Sequence, residues 1–159
     1  MLPIKTILYP TDFSDHSKAA FDLACSLARD YCATLYLLNV APEPVVGYGH
    51  GVVPPEPYRY QREAGEKLQG LASEVTGLQI QHRLVLGDAA TEILRFAGEI
   101  KADLIVMGTH GLTGVSRLLM GSVAEQIVRR APCPVLTVKT PVAESIPAPA
   151  RKILETVKS

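Results

Sequence analysis

Asp103-Leu104-Ile105-Val106-Met107-Gly108-Thr109-His110-Gly111 is the stretch that decides the fold of this chain, and it continues through residues 112–120 to Gly121-Ser122. The apolar run 104–107 is typical of a strand that is buried on both faces. The glycines follow the spacing Gly-x2-Gly-x9-Gly-Ser, and glycine lets main-chain N–H groups approach a phosphate without a Cβ in the way. The pattern predicts a buried strand that leads into an anion-binding loop.

The segment after the last glycine predicts a helix whose first turn faces the same loop. Residues 122–130 are good helix formers, and the free N–H groups and dipole of a helix N-terminus favour an anion. The same residues also fit a capping box, because Glu125 follows Ser122 by three positions. Spacing alone leaves two interpretations open: an anion site, or a cap that satisfies the N–H groups of the helix itself.

Strand and helix patterns alternate along the rest of the chain. Strands are predicted over residues 4–9, 34–40, 78–86, 104–107 and 135–138. Helices are predicted after Ser14, over 56–74, from Asp88 through 97, and over 123–130. In the first helix, the apolar positions follow the 3.6-residue period: Ala20, Leu23, Ala24, Leu27 and Tyr31. Strands separated by helices predict right-handed βαβ units and a doubly wound, mostly parallel α/β sheet.

Composition and charge limit the classes of partner. The 159 residues are 47% hydrophobic and 20% charged, which predicts one compact domain with a substantial core. Sixteen basic residues balance sixteen acidic ones, so we expect neither nucleic acid nor a membrane as a partner. The start of the chain does not look like a secretory leader, and no apolar run approaches the roughly eighteen residues of a membrane span. We therefore expect a cytoplasmic protein.

Two stretches depart from the alternation. Residues 41–57 are rich in proline and glycine and follow the second predicted strand; a loop of this length in a compact domain is usually functional or mobile. Residues 141–159 begin with three prolines in nine positions and are typical of a tail rather than of a second domain. We therefore divide the chain into a domain over residues 1–140 and a Pro-rich tail over 141–159.

Three segments of the chain resemble the universal stress protein family. They are Tyr-Pro-Thr-Asp-Phe-Ser at 9–14, Leu-Asn-Val at 38–40, and 102–122 with its glycines. The last segment resembles the ATP-binding branch of the family, and every glycine of that pattern is present here. The resemblance implies a Rossmann-like, three-layer α/β/α domain with five strands in the order 3-2-1-4-5. It also implies a nucleotide at the carboxyl ends of strands one and four, where open α/β sheets bind ligands.

The resemblance also implies a role for individual residues. Asp12 would contact the ribose or a metal-linked phosphate, and the main chain of Val40 would read the adenine edge. The implied nucleotide-binding set is Pro10, Thr11, Asp12, Val40, Met107, Gly108, His110, Gly111, Gly121, Ser122 and Val123. From the residues alone, Asp12 also fits a helix cap or an Asx-turn, and Val40 also fits a core position. The implied ligand is ATP or AMP, with Mg²⁺ as an optional companion.

Three functions remain open. The first is a stress-response regulatory module that binds ATP, ADP or AMP and presents its surface to an unidentified protein partner. The second is a slow ATPase or autokinase that uses the same pocket, and the third is a dimeric scaffold that binds no nucleotide. The sequence has no P-loop, catalytic triad or metal-ligand spacing, and the complete glycine pattern weighs against the scaffold. We therefore predict the regulatory module, and the resemblance implies a homodimer through the fifth strand.

Overall fold

The computed structural model describes residues 3–43, 59–109 and 120–139. Most of the predicted 41–57 loop and the whole predicted tail, 141–159, lie outside these residues, and the domain boundary at residue 140 stays a prediction. The elements follow one another as β1 (Thr6–Pro10), α1 (Asp15–Tyr31), β2 (Thr34–Ala41), α2 (Arg59–Glu74), β3 (Gln79–Leu86), α3 (Ala89–Glu99), β4 (Leu104–Gly108), α4 (Ser122–Arg130) and β5 (Val135–Val138).

The described strands form one five-stranded parallel sheet between two layers of helices. Its order is β3-β2-β1-β4-β5, and all four pairings are parallel. One core cluster joins α1 and α2 to one face of the sheet, around Tyr9, Phe21 and Leu68. A second cluster joins α3 and α4 to the other face, around Leu8, Phe96 and Ile127. These two clusters confirm the doubly wound, three-layer α/β/α fold.

The pairing of β1 with β2 extends further towards the carboxyl end of β1 than its pairing with β4. On the β2 side the register continues to Pro10 and Leu38, and the Thr11 N–H then donates to the Leu38 carbonyl at 2.8 Å. On the β4 side the pairing ends at Leu8 and Ile105. Main-chain groups alternate sides along a strand, so the next bond to β4 would need the N–H of residue 10, which proline lacks. The carboxyl ends of β1 and β4 therefore separate where the strand order reverses.

The helix starts agree with the predicted caps in one case of three. Asp88 caps α3 as predicted, because its carboxylate accepts from the N–H of Thr91 at 2.9 Å. Ser14 occupies the N-cap of α1, but its side chain makes no capping bond. The capping box, one of the two interpretations left open for Ser122, does not form: Gly121 is the N-cap of α4, and Ser122 already lies inside the helix.

Two smaller expectations also need correction. The first strand begins at Thr6 rather than at Ile4 and includes Pro10, because it is the pairing with β2 that defines it. Tyr31 follows the apolar period of α1 but is 40% exposed, since it is the last residue of the helix and lies beyond the sheet face that Ala20 and Ala24 cover. Over the part of the chain that the structure describes, no helix combines the length and apolar character needed to cross a membrane.

Candidate functional site

A pocket of about 180 Å³ lies at the carboxyl edge of the sheet, where β1 and β4 separate. Its walls come from the ends of β1, β2 and β4, from the starts of α1, α2 and α3, and from the first turn of α4. The described lining residues are Pro10, Thr11, Asp12, Ser17, Leu38, Asn39, Val40, Tyr60, Ala89, Ile93, Met107, Gly108, Thr109, Gly121, Ser122, Val123 and Ala124. The pocket therefore occupies the switch point at which open α/β sheets bind ligands.

Nine of the eleven predicted site residues line this pocket: Pro10, Thr11, Asp12, Val40, Met107, Gly108, Gly121, Ser122 and Val123. The other two, His110 and Gly111, lie outside the described residues. That the nine bind a nucleotide stays a prediction. Sequence reasoning missed several lining residues, among them Asn39 and Tyr60. An asparagine inside the apolar run of β2 was a usable signal, whereas nothing local in the sequence marks Tyr60.

The turn that follows β1 is held by its own side chains. The Phe13 N–H donates to Thr11 Oγ1 at 3.0 Å, and the Ser14 N–H donates to Asp12 Oδ1 at 3.0 Å. Phe13 has a φ of 62°, a left-handed conformation that is costly for a bulky residue. The Asx-turn interpretation of Asp12 is therefore correct for one carboxylate oxygen, although each such oxygen can accept more than one hydrogen bond.

A buried polar network ties this turn to β2 and α1. The Asn39 Nδ2 donates to the Thr11 carbonyl at 2.8 Å, and Asn39 is 1% exposed. Thr11 Oγ1 lies 3.2 Å from Ser17 Oγ, which donates to the Ser14 carbonyl at 2.7 Å. Burial raises the pKa of Tyr9 above its ordinary value, so its hydroxyl stays protonated and donates to the Ser17 carbonyl at 2.9 Å. The network fixes the pocket floor in one conformation.

The N-terminus of α4 has no side-chain cap, whereas that of α3 has one; we call the uncapped end open. Asp88 supplies a carboxylate to α3, whereas Gly121 supplies no side chain to α4. The Gly121 N–H donates to the Thr109 carbonyl at 2.8 Å, and the helix ladder begins only with the Glu125 N–H. Within the described residues, nothing accepts from the first-turn N–H groups of α4. These groups belong to three pocket-lining residues, Ser122, Val123 and Ala124, so the dipole favours an anion there.

The main chain of β2 offers a second set of polar groups. Leu38 accepts from the Thr11 N–H of the β1 side, whereas Ala41 accepts from the Gly87 N–H of the β3 side. Since main-chain groups alternate along a strand, the N–H and carbonyl of Val40 face the β1 side. They lie beyond Pro10, the last residue of β1. Val40 thus presents one donor and one acceptor at the pocket, while its side chain packs against the α3 cluster.

A family model supplies the first comparison with known proteins. The model described as the universal stress protein family matches residues 3–139. The chain belongs to the universal stress protein family. Universal stress protein MJ0531 of Methanocaldococcus jannaschii is 41% identical to it over 145 residues, which are 88% of this chain and 85% of the relative. The resemblance seen in the sequence is therefore confirmed.

Solved structures of this family share the fold. A structure of the protein MJ0577 has a TM-score of 0.77 and 28% identity, and covers 89% of this chain and 100% of its own. A universal stress protein in complex with cAMP has a TM-score of 0.68 and 26% identity. The match covers 88% of this chain and 100% of that protein's chain. A universal stress protein of Archaeoglobus fulgidus in complex with dAMP has a TM-score of 0.62 and 25% identity. The match covers 87% of this chain and 100% of that protein's chain.

Replacing Asn39 with leucine tests the network beneath the pocket. Asn39→Leu keeps the approximate size but removes the donor to the Thr11 carbonyl, so we expect the free energy of unfolding to fall by about 1–3 kcal/mol. Urea denaturation of both proteins measures this difference. An Asn39→Leu protein as stable as the wild type would mean that the 2.8 Å bond contributes nothing.

Asn39→Asp is the matched control. Only a protonated carboxyl can donate to the Thr11 carbonyl, and burial should raise the pKa of the new carboxyl in the folded protein. The stability of this variant relative to wild type should therefore be greatest at acidic pH and fall as pH rises through that raised pKa. A pH-independent difference between pH 5 and pH 8 would contradict the assignment of the donor.

Proposed function

We propose that this protein binds an adenine nucleotide, ATP, ADP or AMP, in the pocket at the sheet edge and acts as a stress-response regulatory module. The observation that carries the proposal is the open N-terminus of α4, whose first-turn N–H groups line the pocket without an acceptor among the described residues. Such groups bind phosphate through the main chain and need no basic side chain.

The adenine base would occupy the part of the pocket next to Val40. Adenine N1 accepts a hydrogen bond and the adjacent N6 donates one, so together they match the N–H and carbonyl that Val40 presents. Guanine has a donor at N1 and an acceptor at O6, which reverses the pattern. Ile93, Ala89 and the Val40 side chain would provide apolar contact to one face of the base.

The ribose and the phosphates would lie between Asp12 and α4. Carboxylate oxygens accept from sugar hydroxyls, and Asp12 stands at the pocket in a turn fixed by hydrogen bonds. Gly108, Gly121, Ser122 and Val123 would surround the phosphates. Mg²⁺ accompanying ATP would be held by the phosphates, with Asp12 within the same pocket, since Mg²⁺ usually combines one or two carboxylates with substrate phosphates.

The relatives support the chemical class of the ligand. One solved family member holds cAMP and another holds dAMP, and both ligands join adenine to a sugar phosphate. The slow ATPase or autokinase remains an alternative that uses the same pocket. An unidentified protein partner that reads the nucleotide state and a cytoplasmic location also stay predictions.

The first experiment identifies the nucleotide and its base. Denaturing the purified protein and analysing the released small molecules should recover an adenine nucleotide. Calorimetry should then give weaker binding of GTP than of ATP, because guanine reverses the donor and acceptor pattern at Val40. Saturating ATP at one hundred times the dissociation constant should stabilise the fold by about 2.7 kcal/mol. Equal affinities for ATP and GTP would refute the base assignment, and ADP that accumulates with time would favour the ATPase.

A substitution at Gly121 separates phosphate binding from helix capping. Gly121→Asp puts a carboxylate at the N-cap of α4, where the phosphates should lie, so ATP affinity should fall at least about tenfold, roughly 1.4 kcal/mol. The same carboxylate suits a helix N-cap, so the ligand-free protein should keep its stability or gain about 0.3–1 kcal/mol.

Gly121→Asn is the control for charge. Asparagine also caps helices but carries no charge, so its effect on ATP affinity should be smaller than that of aspartate. Calorimetry and thermal melting of the three proteins measure both quantities. Tight ATP binding by Gly121→Asp would show that the phosphates lie elsewhere.

We also propose a homodimer through β5. The Ile105 and Thr109 N–H groups donate to the Pro134 and Val138 carbonyls, so the main-chain groups of Thr137 point away from β4. These outward groups form an open edge in the described sheet, next to Leu136, which is 38% exposed. Unpaired strand edges favour pairing with a second copy.

Light scattering at micromolar concentration should therefore give twice the mass of one chain. Thr137→Pro removes an outward N–H without breaking the ladder to β4, and it should weaken the dimer. Thr137→Val keeps the N–H and should leave the dimer intact. A monomeric wild type would refute this proposal without affecting nucleotide binding.

A further inference from the structure

Tyr60 is an exposed aromatic residue at the rim of the pocket. The sequence did not predict that this residue lines the pocket. It lies in the first turn of α2, lines the pocket, and is 43% exposed. Within the described residues its ring has no aromatic or cationic partner. Buried or half-exposed tyrosine rings usually pack against other groups, so an unpartnered ring at a pocket rim is a candidate contact for a ligand.

The helix fixes the direction in which Tyr60 lies. Tyr60, Ala64 and Leu68 are spaced by four residues, so they share one face of α2. Ala64 and Leu68 are 2% and 0% exposed, because that face packs against the sheet. Tyr60 continues the same face beyond the strands, which places it over the pocket rather than on the solvent side of the helix.

The middle of α2 also contacts the turn beside the pocket. The Lys67 Nζ lies 5.4 Å from the centre of the Phe13 ring, and Phe13 follows Asp12 directly. The helix is thus anchored both in the core and on the turn. Tyr60 belongs to a helix on one face of the sheet, whereas Ile93 and the Val40 side chain belong to the cluster on the other face.

We infer that Tyr60 is a base-binding residue that stacks on the purine base of the ligand, with Ile93 and Val40 on the opposite side of the base. This inference rests on the proposed nucleotide binding. A flat ring and an apolar wall on opposite sides form a slot that suits an aromatic base. Stacking of a base on an aromatic side chain changes affinity by about 5- to 150-fold.

The test compares three variants of the full chain. Tyr60→Leu should lower ATP affinity at least about fivefold, whereas Tyr60→Phe keeps the ring and should bind within about twofold of wild type. Tyr31→Leu is the matched control, because Tyr31 is also an exposed tyrosine, at 40%, but lies at the opposite end of α1 from the pocket. It should bind ATP as the wild type does. Calorimetry measures all four proteins.

A spectroscopic measurement separates stacking from a structural effect. An aromatic ring above the base shifts the adenine H2 and H8 proton resonances upfield, so wild type and Tyr60→Phe should show this shift and Tyr60→Leu should lose part of it. If Tyr60→Leu does not fold, wild type and Tyr60→Phe decide the question. Both should bind ATP, and both should show the upfield shift of the adenine resonances.

The outcomes distinguish the two proposals. Unchanged ATP affinity in Tyr60→Leu, or the absence of any upfield shift in wild type that binds ATP, overturns the stacking inference and leaves nucleotide binding intact. Failure of the wild type to bind any adenine nucleotide overturns both. Loss of affinity in Tyr60→Leu together with retention in Tyr60→Phe and Tyr31→Leu supports the inference.

Discussion

A missing hydrogen-bond donor at Pro10 is the constraint on which the site depends. The sheet is continuous between β1 and β2 as far as Pro10 and Leu38, but between β1 and β4 it stops at Leu8 and Ile105. Because residue 10 has no N–H, closing that gap with another ladder bond is impossible. The separation leaves room for the pocket beside the first turn of α4. The main chain of Val40 has no strand partner on the β1 side, because Val40 lies beyond Pro10, the last residue of β1. Main-chain groups of Val40 and of the first turn of α4 therefore line the pocket together with the Asp12 side chain.

Several features that are unfavourable for stability lie around this gap. Asp88 caps the N-terminus of α3, whereas the first-turn N–H groups of α4 have no acceptor among the described residues. An unsatisfied helix end is unfavourable unless a ligand or water completes it. Phe13 adopts a left-handed conformation in the adjoining turn. Asn39 Oδ1 and Ser14 Oγ are buried and have no hydrogen-bond partner within residues 3–43, 59–109 and 120–139. Such costs persist only where surrounding contacts enforce them, here the core beneath β1 and β2.

The sequence predicted the fold almost completely. Alternating strand and helix patterns predict the order of the elements, and the resemblance of the three motifs predicts the order of the strands in the sheet. It also predicted residues that line the pocket where main-chain chemistry follows from local residue type, as with Gly108, Gly121 and Asp12; their role in binding stays a prediction. It failed where tertiary context decides. The Ser122–Glu125 spacing fits a capping box, yet the helix starts one residue earlier than that motif requires. Tyr60 lines the pocket only because α2 packs on one face of the sheet with its first turn at the carboxyl edge, and no local sequence pattern predicts that placement.

Under the proposed function, the arrangement of the pocket gives a bound nucleotide a route by which it would act on a partner. A ligand that spans Val40, Asp12 and the start of α4 touches elements on both faces of the sheet, and the Gly121 N–H already joins α4 to the end of β4. Binding therefore stabilises the relative placement of these elements by mass action. It can shift a conformational equilibrium only by the difference in its affinity for the two conformations. In the proposed placement, ligands that share adenine but differ in phosphate number would differ at α4 and not at Val40, so we expect a partner that distinguishes them to contact the surface near the start of α4.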